Sequence, residues 1–249
     1  MKKNIIILFN PSDYFAEQGL KIFMRSKLFN VKAIIESKKI KKYSPIFAKP
    51  KYFYNKFPHL DKKIIKFVQF NNIKTCVSLG YQYRLRSSFL KFFSEGVYNL
   101  HPAILPKNKG SHSTFYTIIN NDYIGSTLHI MNEKFDSGPI IDQIKLKQKI
   151  HHDAEFVFRK SRQLGLILLK RNLKKIYKSN PKTKKNLKSK INFKKNIISA
   201  STLNSQKKYS GDYIWRLIKA VHYKKNGFYI KYKKKSFKII PSIKFHYEN

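Results

Sequence analysis

The run Ile5-Ile6-Ile7-Leu8-Phe9, followed at once by Asn10-Pro11-Ser12-Asp13, decides the fold. Five consecutive apolar residues without alternation describe a strand buried on both faces, as parallel sheets require. Pro11-Ser12-Asp13 supplies turn and N-cap chemistry, so Tyr14 to Lys27 is predicted helical, with Phe15, Leu20, Ile22 and Phe23 available to a core. The same order then recurs. Val31 to Ile35 reads as a strand, Leu60 to Asn71 as a helix, Thr75 to Leu79 as a strand ending at Gly80, Ser87 to Phe93 as a helix, and Val97 to Leu100 as a strand. Between Glu36 and Pro58 the chain is basic and aromatic with three prolines, which predicts an irregular connection with at most a short helix. Strands alternating with helices at this spacing predict an α/β fold, a doubly wound, mostly parallel sheet.

Beyond residue 124 the pattern changes. Gly125 to Met131 and Ile140 to Leu146 alternate, as strands with one covered face do. Ala154 to Tyr177 carries a helical stripe of Phe156, Val157, Leu164, Ile167, Leu168, Leu173 and Ile176, and Asn180-Pro181 ends it. Residues 182–195 are basic and Asn-containing and read as a linker. Tyr213 to Val221 is predicted helical, and Gly227 to Ile240 reads as a hairpin or paired strands. The chain thus divides at residues 1–178 and 179–249, the second part being a basic linker and a small C-terminal α+β appendage.

Composition bounds the partners. The 249 residues hold 53 Lys plus Arg against 13 Asp plus Glu, a formal charge of +40, yet 42% apolar and 15% aromatic content is that of a folding chain. The cations divide into 46 Lys and 7 Arg, spread along the whole sequence. Arg grips phosphates and guanines in bidentate fashion, so a surface built almost wholly from Lys fits a compositional bias better than a selected nucleic-acid site. One cysteine, Cys76, excludes an intramolecular disulfide framework and a Cys-rich zinc site, and a reducing compartment, the cytoplasm, is expected. The first apolar run is too short for a signal segment and far short of the ~20 residues of a bilayer span. No Gly-x-Gly-x-x-Gly follows the first strand and there is no Walker loop, which argues against a nicotinamide or ATP site. His151-His152 lacks acidic or Cys ligands at metal-binding spacing, so no metal is expected.

Chemistry concentrates in Asn99-Leu100-His101-Pro102-Ala103-Ile104-Leu105-Pro106, followed by Lys107-Asn108-Lys109-Gly110-Ser111-His112. With a period of two, Asn99 and His101 share one side at the carboxyl end of a strand, where open α/β sheets bind ligands. Two prolines four apart hold the next residues extended. A second polar cluster, Glu133-Lys134-Phe135-Asp136-Ser137-Gly138-Pro139, joins the two alternating strands, and Asp136 is one of only seven Asp. Singly, each candidate has a plainer reading: Asp136 as turn chemistry, His101 as a structural histidine, Asn99 as strand-end capping. His112 either lines an acceptor side or is structural.

Taken together, Asn99-x-His101-Pro102, Gly110, Gly125-Ser126-Thr127-Leu128-His129 and Asp136-Ser137-Gly138-Pro139-Ile140-Ile141 resemble the folate-dependent formyltransferase family, with Asp136 standing 35 residues after His101. That family includes glycinamide ribonucleotide, methionyl-tRNA and sugar N-formyltransferases, and the likeness extends more weakly from Met1 to about Tyr177. It implies transfer of a formyl group from 10-formyltetrahydrofolate to a primary amine. Asn99 would donate to the developing oxyanion, His101 would do the same when protonated and pass a proton to the departing folate nitrogen, and Asp136 would orient His101 and accept the amine proton. By the same resemblance, Gly80, Tyr81 and Leu85 together with Phe135 and Gly138 would face the pterin, with Ile104, Leu105 and Pro106 as an apolar wall. The family commonly has Ser where this chain has Ala103, the loss of a hydrogen bond worth ~1 kcal/mol, which would modulate activity rather than abolish it. The short C-terminal appendage is similar to that of the sugar N-formyltransferases, so a nucleotide-linked amino sugar is the expected acceptor. A methionyl-tRNA formyltransferase, and a nucleic-acid-binding protein on an inactive scaffold, stand as alternatives. The latter would be marked by loss of Asn99, His101 or Asp136, and all three are present. A homodimer stays open.

Overall fold

The computed structural model describes residues 1–37, 50–222 and 227–242. In chain order the elements are β1 (Lys3–Phe9), α1 (Tyr14–Arg25), β2 (Phe29–Glu36), β3 (Lys51–Tyr54), α2 (Lys62–Phe70), β4 (Thr75–Leu79), α3 (Ser87–Leu90), β5 (Val97–His101), β6 (Lys109–Gly110), α4 (Ser113–Ile119), β7 (Ile124–Ile130), β8 (Ile140–Leu146), α5 (Ala154–Lys178), β9 (Ile191–Asn192), α6 (Ile197–Ala200), β10 (Thr202–Asn204), α7 (Gly211–His222), β11 (Phe228–Tyr232) and β12 (Lys235–Ile239).

Seven strands form the central sheet in the order β3-β2-β1-β4-β5-β7-β8. The first five are mutually parallel, and β7 and β8 run antiparallel at the far edge. The expected α/β architecture, doubly wound and mostly parallel, is the one observed. Alternate residues of β1 explain it: Ile5, Ile7 and Phe9 pack with Leu20, Phe23, Leu168 and Leu169 on one face, while Ile6 and Leu8 pack with Ile64, Val68 and Phe89 on the other. Asp13 caps α1 as expected, its carboxylate accepting from the Phe15 and Ala16 amides. A three-stranded sheet β10-β11-β12, with α7 packed against α4, forms the C-terminal α+β appendage. No helix of the described residues is long and apolar enough to cross a membrane.

Several local expectations shift. Lys51–Tyr54, inside the stretch expected to be irregular, is an edge strand parallel to β2, while residues 38–49 of that stretch lie outside the described residues. Helix α2 starts at Lys62 because Asp61 caps it, accepting from the Lys63 and Ile64 amides. Helix α3 ends at Leu90, and the chain passes to Gly96 through three-residue turns. β7 is buried on both faces, since α5 covers the side of Ser126 and the loop of residues 103–105 covers the side of Gly125 and Thr127. On α5 the buried face is Val157, Ser161, Gly165, Leu168, Leu169, Asn172 and Ile176, whereas Phe156 and Ile167 are exposed. Gly165 lets α5 approach the sheet, for a Cβ there would meet Ser126 Oγ and the Leu100 side chain. The stretch 182–195, expected as a linker, is a strap packed along the first 178 residues: Lys184 pairs with Ile140 in both directions and β9 pairs parallel with β6.

Candidate active site

β5 delivers Asn99 and His101 to the carboxyl edge of the parallel strands. Its antiparallel neighbour β7 places His129 directly opposite Asn99. The loop from β7 to β8 returns Asp136 to the same point, held at φ +48°, a left-handed conformation that Asp tolerates better than most residues. The three residues singled out in the sequence thus converge around one carboxylate. Asp136 Oδ2 lies 3.4 Å from His101 Nδ1 and accepts from the Gly110 amide at 2.8 Å. Its Oδ1 lies 3.5 Å from both His129 Nε2 and Asn99 Nδ2.

Asn99 Nδ2 is also 3.1 Å from His129 Nε2. The Ile130 carbonyl lies 3.1 Å from His129 Nδ1, so the ring is held between that carbonyl and the Asn99 amide and fixes the amide's orientation. Asn99 Nδ2 also makes the long contact to Asp136 and lines the cleft, where a ligand oxygen can compete for that hydrogen. His129 appears in the quoted sequence pattern without a role. The register of the antiparallel pair reveals it, and that register is not visible in the residues alone.

His101 is 5% exposed, and its Nε2 lies 3.0 Å from the Asn108 carbonyl. Burial, the largest influence, pushes its pKa below the ordinary 6.5, with His129 and Arg162 acting the same way; Asp136 and the Asn108 carbonyl pull upward. Both ring nitrogens therefore face oxygen acceptors within a buried site. The neutral ring is favoured at rest, and an added proton finds a carboxylate waiting. Burial also works against the Asp136 charge. His101, His129 and the Gly110 amide outweigh it and hold the carboxyl well below the usual carboxylate range.

A further shell fixes these groups. Asn108, buried at φ +54°, donates to Thr117 Oγ1 and Asp122 Oδ2 and accepts from Asn120, which aims its carbonyl at His101. Ser126 Oγ donates to the His101 carbonyl and Thr127 Oγ1 to the Ala103 carbonyl. Leu105 N donates to Thr127 Oγ1, and Gln143 Nε2 donates to the Leu105 carbonyl. The polar side chains of buried β7 thereby anchor the loop after His101.

Around the carboxylate opens a cleft of about 800 Å³. Asn99, His101, Asp136, Gly80, Tyr81, Leu85 and Phe135 all line it. Gly80 sits at φ +66°, which suits glycine at this sharp turn after β4. Tyr81 donates its hydroxyl to the Asn55 carbonyl, and burial raises its pKa. Ile104, Leu105, Pro106 and Gly138 are not among the lining residues: Ile104 packs against Gly125, Leu105 is bound to Thr127 and Gln143, the Pro106 carbonyl accepts from Ser189, and Gly138 is buried against the Ile130 carbonyl. They shape the loops behind the wall. The opposite wall brings in residues that no sequence motif marks, Asn192, Phe193 and Lys194 of the strap, beside Ser111 and His112. His112 has φ +59° at the start of α4, and burial and Lys194 lower its pKa. His152 lies elsewhere, stacked on Phe156 and accepting from the Lys149 amide.

The buried imidazoles predict how stability follows pH. His101 and His152 both have pKa values lowered by burial, below the unfolded value of about 6.5. As pH falls through ~6.5 the unfolded chain takes up these protons first, so stability is full above that pH and declines below it. Thermal melting should show a midpoint that drops from pH 7 to pH 5, and a His101→Gln, His152→Gln double variant should flatten that slope. An unchanged slope would contradict the assignment.

The Formyl transferase family profile matches residues 29–173. GDP-perosamine N-formyltransferase of Brucella melitensis biotype 1 is 29% identical over 106 residues, 42% of this chain and 41% of its own length. The chain therefore aligns with less than half of that relative. Among solved structures, a 4-N formyltransferase from Francisella tularensis superposes with TM-score 0.76 at 15% identity, covering 98% of this chain and 99% of its own. An N-formyltransferase from Helicobacter canadensis, in complex with folinic acid and dTDP-3-aminofucose, superposes with TM-score 0.68 at 22% identity, covering 96% and 87%. At these identities the structures speak to the fold, while the profile spans more than half of the chain. With its Asn-x-His-Pro strand end and distant Asp drawn together at the mouth of a doubly wound sheet, the chain belongs to the formyl transferase family.

Proposed function

We propose that this protein transfers a formyl group from 10-formyltetrahydrofolate to the primary amine of a nucleotide-linked amino sugar. The observation that carries the reading is the Asp136 carboxylate, set between His101 and Asn99 on the floor of the cleft. A neutral amine attacking a formyl carbon builds an oxyanion and a cationic nitrogen. The Asn99 amide would turn the hydrogen now 3.5 Å from Asp136 toward the oxyanion. Asp136, ionised through neutral pH, would take the proton from the nitrogen directly or through a water. His101, 3.4 Å from that carboxylate, would receive the proton and return it to the folate nitrogen as the C–N bond breaks. Its depressed pKa favours release of that proton.

The two walls support a division of labour. Gly80, Tyr81, Leu85 and Phe135 would take the flat pterin, and Ser111, His112, Asn192, Phe193 and Lys194 would face the acceptor. The Helicobacter canadensis enzyme, with folinic acid and an amino-sugar nucleotide bound, supports both halves of this assignment. A diphosphate-bearing acceptor also suits a chain of formal charge +40. The buried Cys76 agrees with a reducing compartment such as the cytoplasm. Replacing Lys194 by Ala should raise KM for the acceptor about two- to fivefold, the scale of an exposed ionic contact, with little change in kcat. Added salt should raise the wild-type KM in the same direction. An equal KM in variant and wild type would remove Lys194 from the acceptor site.

A further inference from the structure

We infer that Asn186, on the strap that follows α5, is a positioning residue that fixes Asp136 for proton transfer. The inference rests on the formyl-transfer reading only for the chemistry, since the clamp itself is a geometric feature of the chain. The loop between β7 and β8 makes few bonds of its own, the Lys134 amide to Asn132 Oδ1 at 3.1 Å, the Ser137 amide to the Lys134 carbonyl at 3.3 Å and Ser137 Oγ to the Phe135 carbonyl at 2.9 Å. Arg84 Nε and the Ser87 amide donate to its Glu133 end, the Gly110 amide donates to the Asp136 carboxylate, and the strap holds the backbone around Asp136. Asn186 Nδ2 donates one hydrogen to the Asp136 carbonyl and one to the Gly138 carbonyl, each at 2.9 Å. Two residues further on, Ile140 N donates to Lys184 O at 2.9 Å and Lys184 N to Ile140 O at 2.7 Å. Lys109, 2% exposed, reaches from below to Ser137 Oγ at 3.3 Å and the Leu187 carbonyl at 2.9 Å, tying strap and loop together.

The Asn186 amide can face only one way. Turned over, its oxygen would oppose two carbonyls; as placed, that oxygen is buried without a hydrogen-bond partner. The unpaired oxygen is a cost set against the two bonds that the nitrogen makes. What the placement secures is the left-handed turn at Asp136, φ +48°, and with it the carboxylate's simultaneous reach to Gly110, His101 and Asn99. Asn186 lies beyond residue 173, where the family match ends, so the strap completes a site whose acid and base come from the matched region.

The test compares the full chain with Asn186→Ala and Asn186→Ser, a variant that keeps one donor. Two readouts are used. In formyl transfer, Asn186→Ala should lose at least tenfold in kcat with both KM values within twofold, and Asn186→Ser should fall between it and wild type. In hydrogen exchange on the unliganded protein, amides 135–138 should exchange at least tenfold faster in Asn186→Ala, with the central strands β1 and β4 unchanged. Unaltered exchange in that loop overturns the clamp whatever the enzyme's substrate, and so does a loss confined to KM or spread evenly over the strands. If the loop loosens while wild type formylates no amine, the clamp stands and the reading of the reaction fails.

Discussion

Asp136→Asn should lower kcat by about a thousandfold while leaving the fold intact, the middle of the range for loss of a general acid–base group. Asn tolerates the left-handed backbone that Asp136 occupies at φ +48°, so the loop has no reason to unfold. The amide nevertheless cannot accept a proton, and one of its two ends must oppose either the Gly110 amide or the acceptor side of the site. It also removes the anion that faces His101 at 3.4 Å. Steady-state kinetics with circular dichroism as the folding control reads this directly. A variant with kcat within tenfold of wild type would mean that another group takes the amine proton.

Gly138→Ala should be almost as damaging by a different route. A Cβ at residue 138 would fall inside the van der Waals envelope of the Ile130 carbonyl oxygen, a backbone atom that cannot swing away. Space, rather than an unusual φ, requires glycine here. Overpacking of this kind costs ~1–3 kcal/mol, and each kcal/mol moves the melting midpoint of a chain this size by ~2–4 °C. The displaced segment carries Asp136 two residues away and the Gly138 carbonyl that Asn186 grips. Activity should therefore fall by about a hundredfold or more, within the reach of geometric misplacement alone, alongside a midpoint lowered by several degrees. Retention of wild-type activity would show that the loop tolerates a shift that the geometry forbids.

Much of this site was legible in the residues because two simple physical signals coincide. Runs such as Ile5–Phe9 and Thr75–Leu79 can be buried on both faces only in a covered parallel sheet, and Asn99 and His101 sit two apart at the end of such a strand. What stayed hidden depends on long-range pairing. His129 faces Asn99 only through the register of β5 with β7. Lys51-Tyr52-Phe53-Tyr54 looks like basic, aromatic connection until β2 offers it an edge. The strap is the sharpest case: Lys182 to Lys195 has the composition of a solvated linker, yet its hydrogen bonds are made by Asn186, Ser189 and backbone groups while its lysines point outward. Charge in a sequence reports which side chains avoid the core. It says nothing about where the backbone beneath them is paired.

The proposed reaction is formyl transfer from folate to a sugar amine by Asn99, His101 and Asp136. Its most direct test incubates the protein with 10-formyltetrahydrofolate and a panel of nucleotide-linked amino sugars, following tetrahydrofolate release by absorbance and the acceptor by mass. At least one amino sugar should accelerate release, gain one formyl group per folate consumed, and do neither with His101→Ala. Formylation of methionyl-tRNA with none of the sugars accepted, or full turnover by the His101→Ala variant, would contradict it.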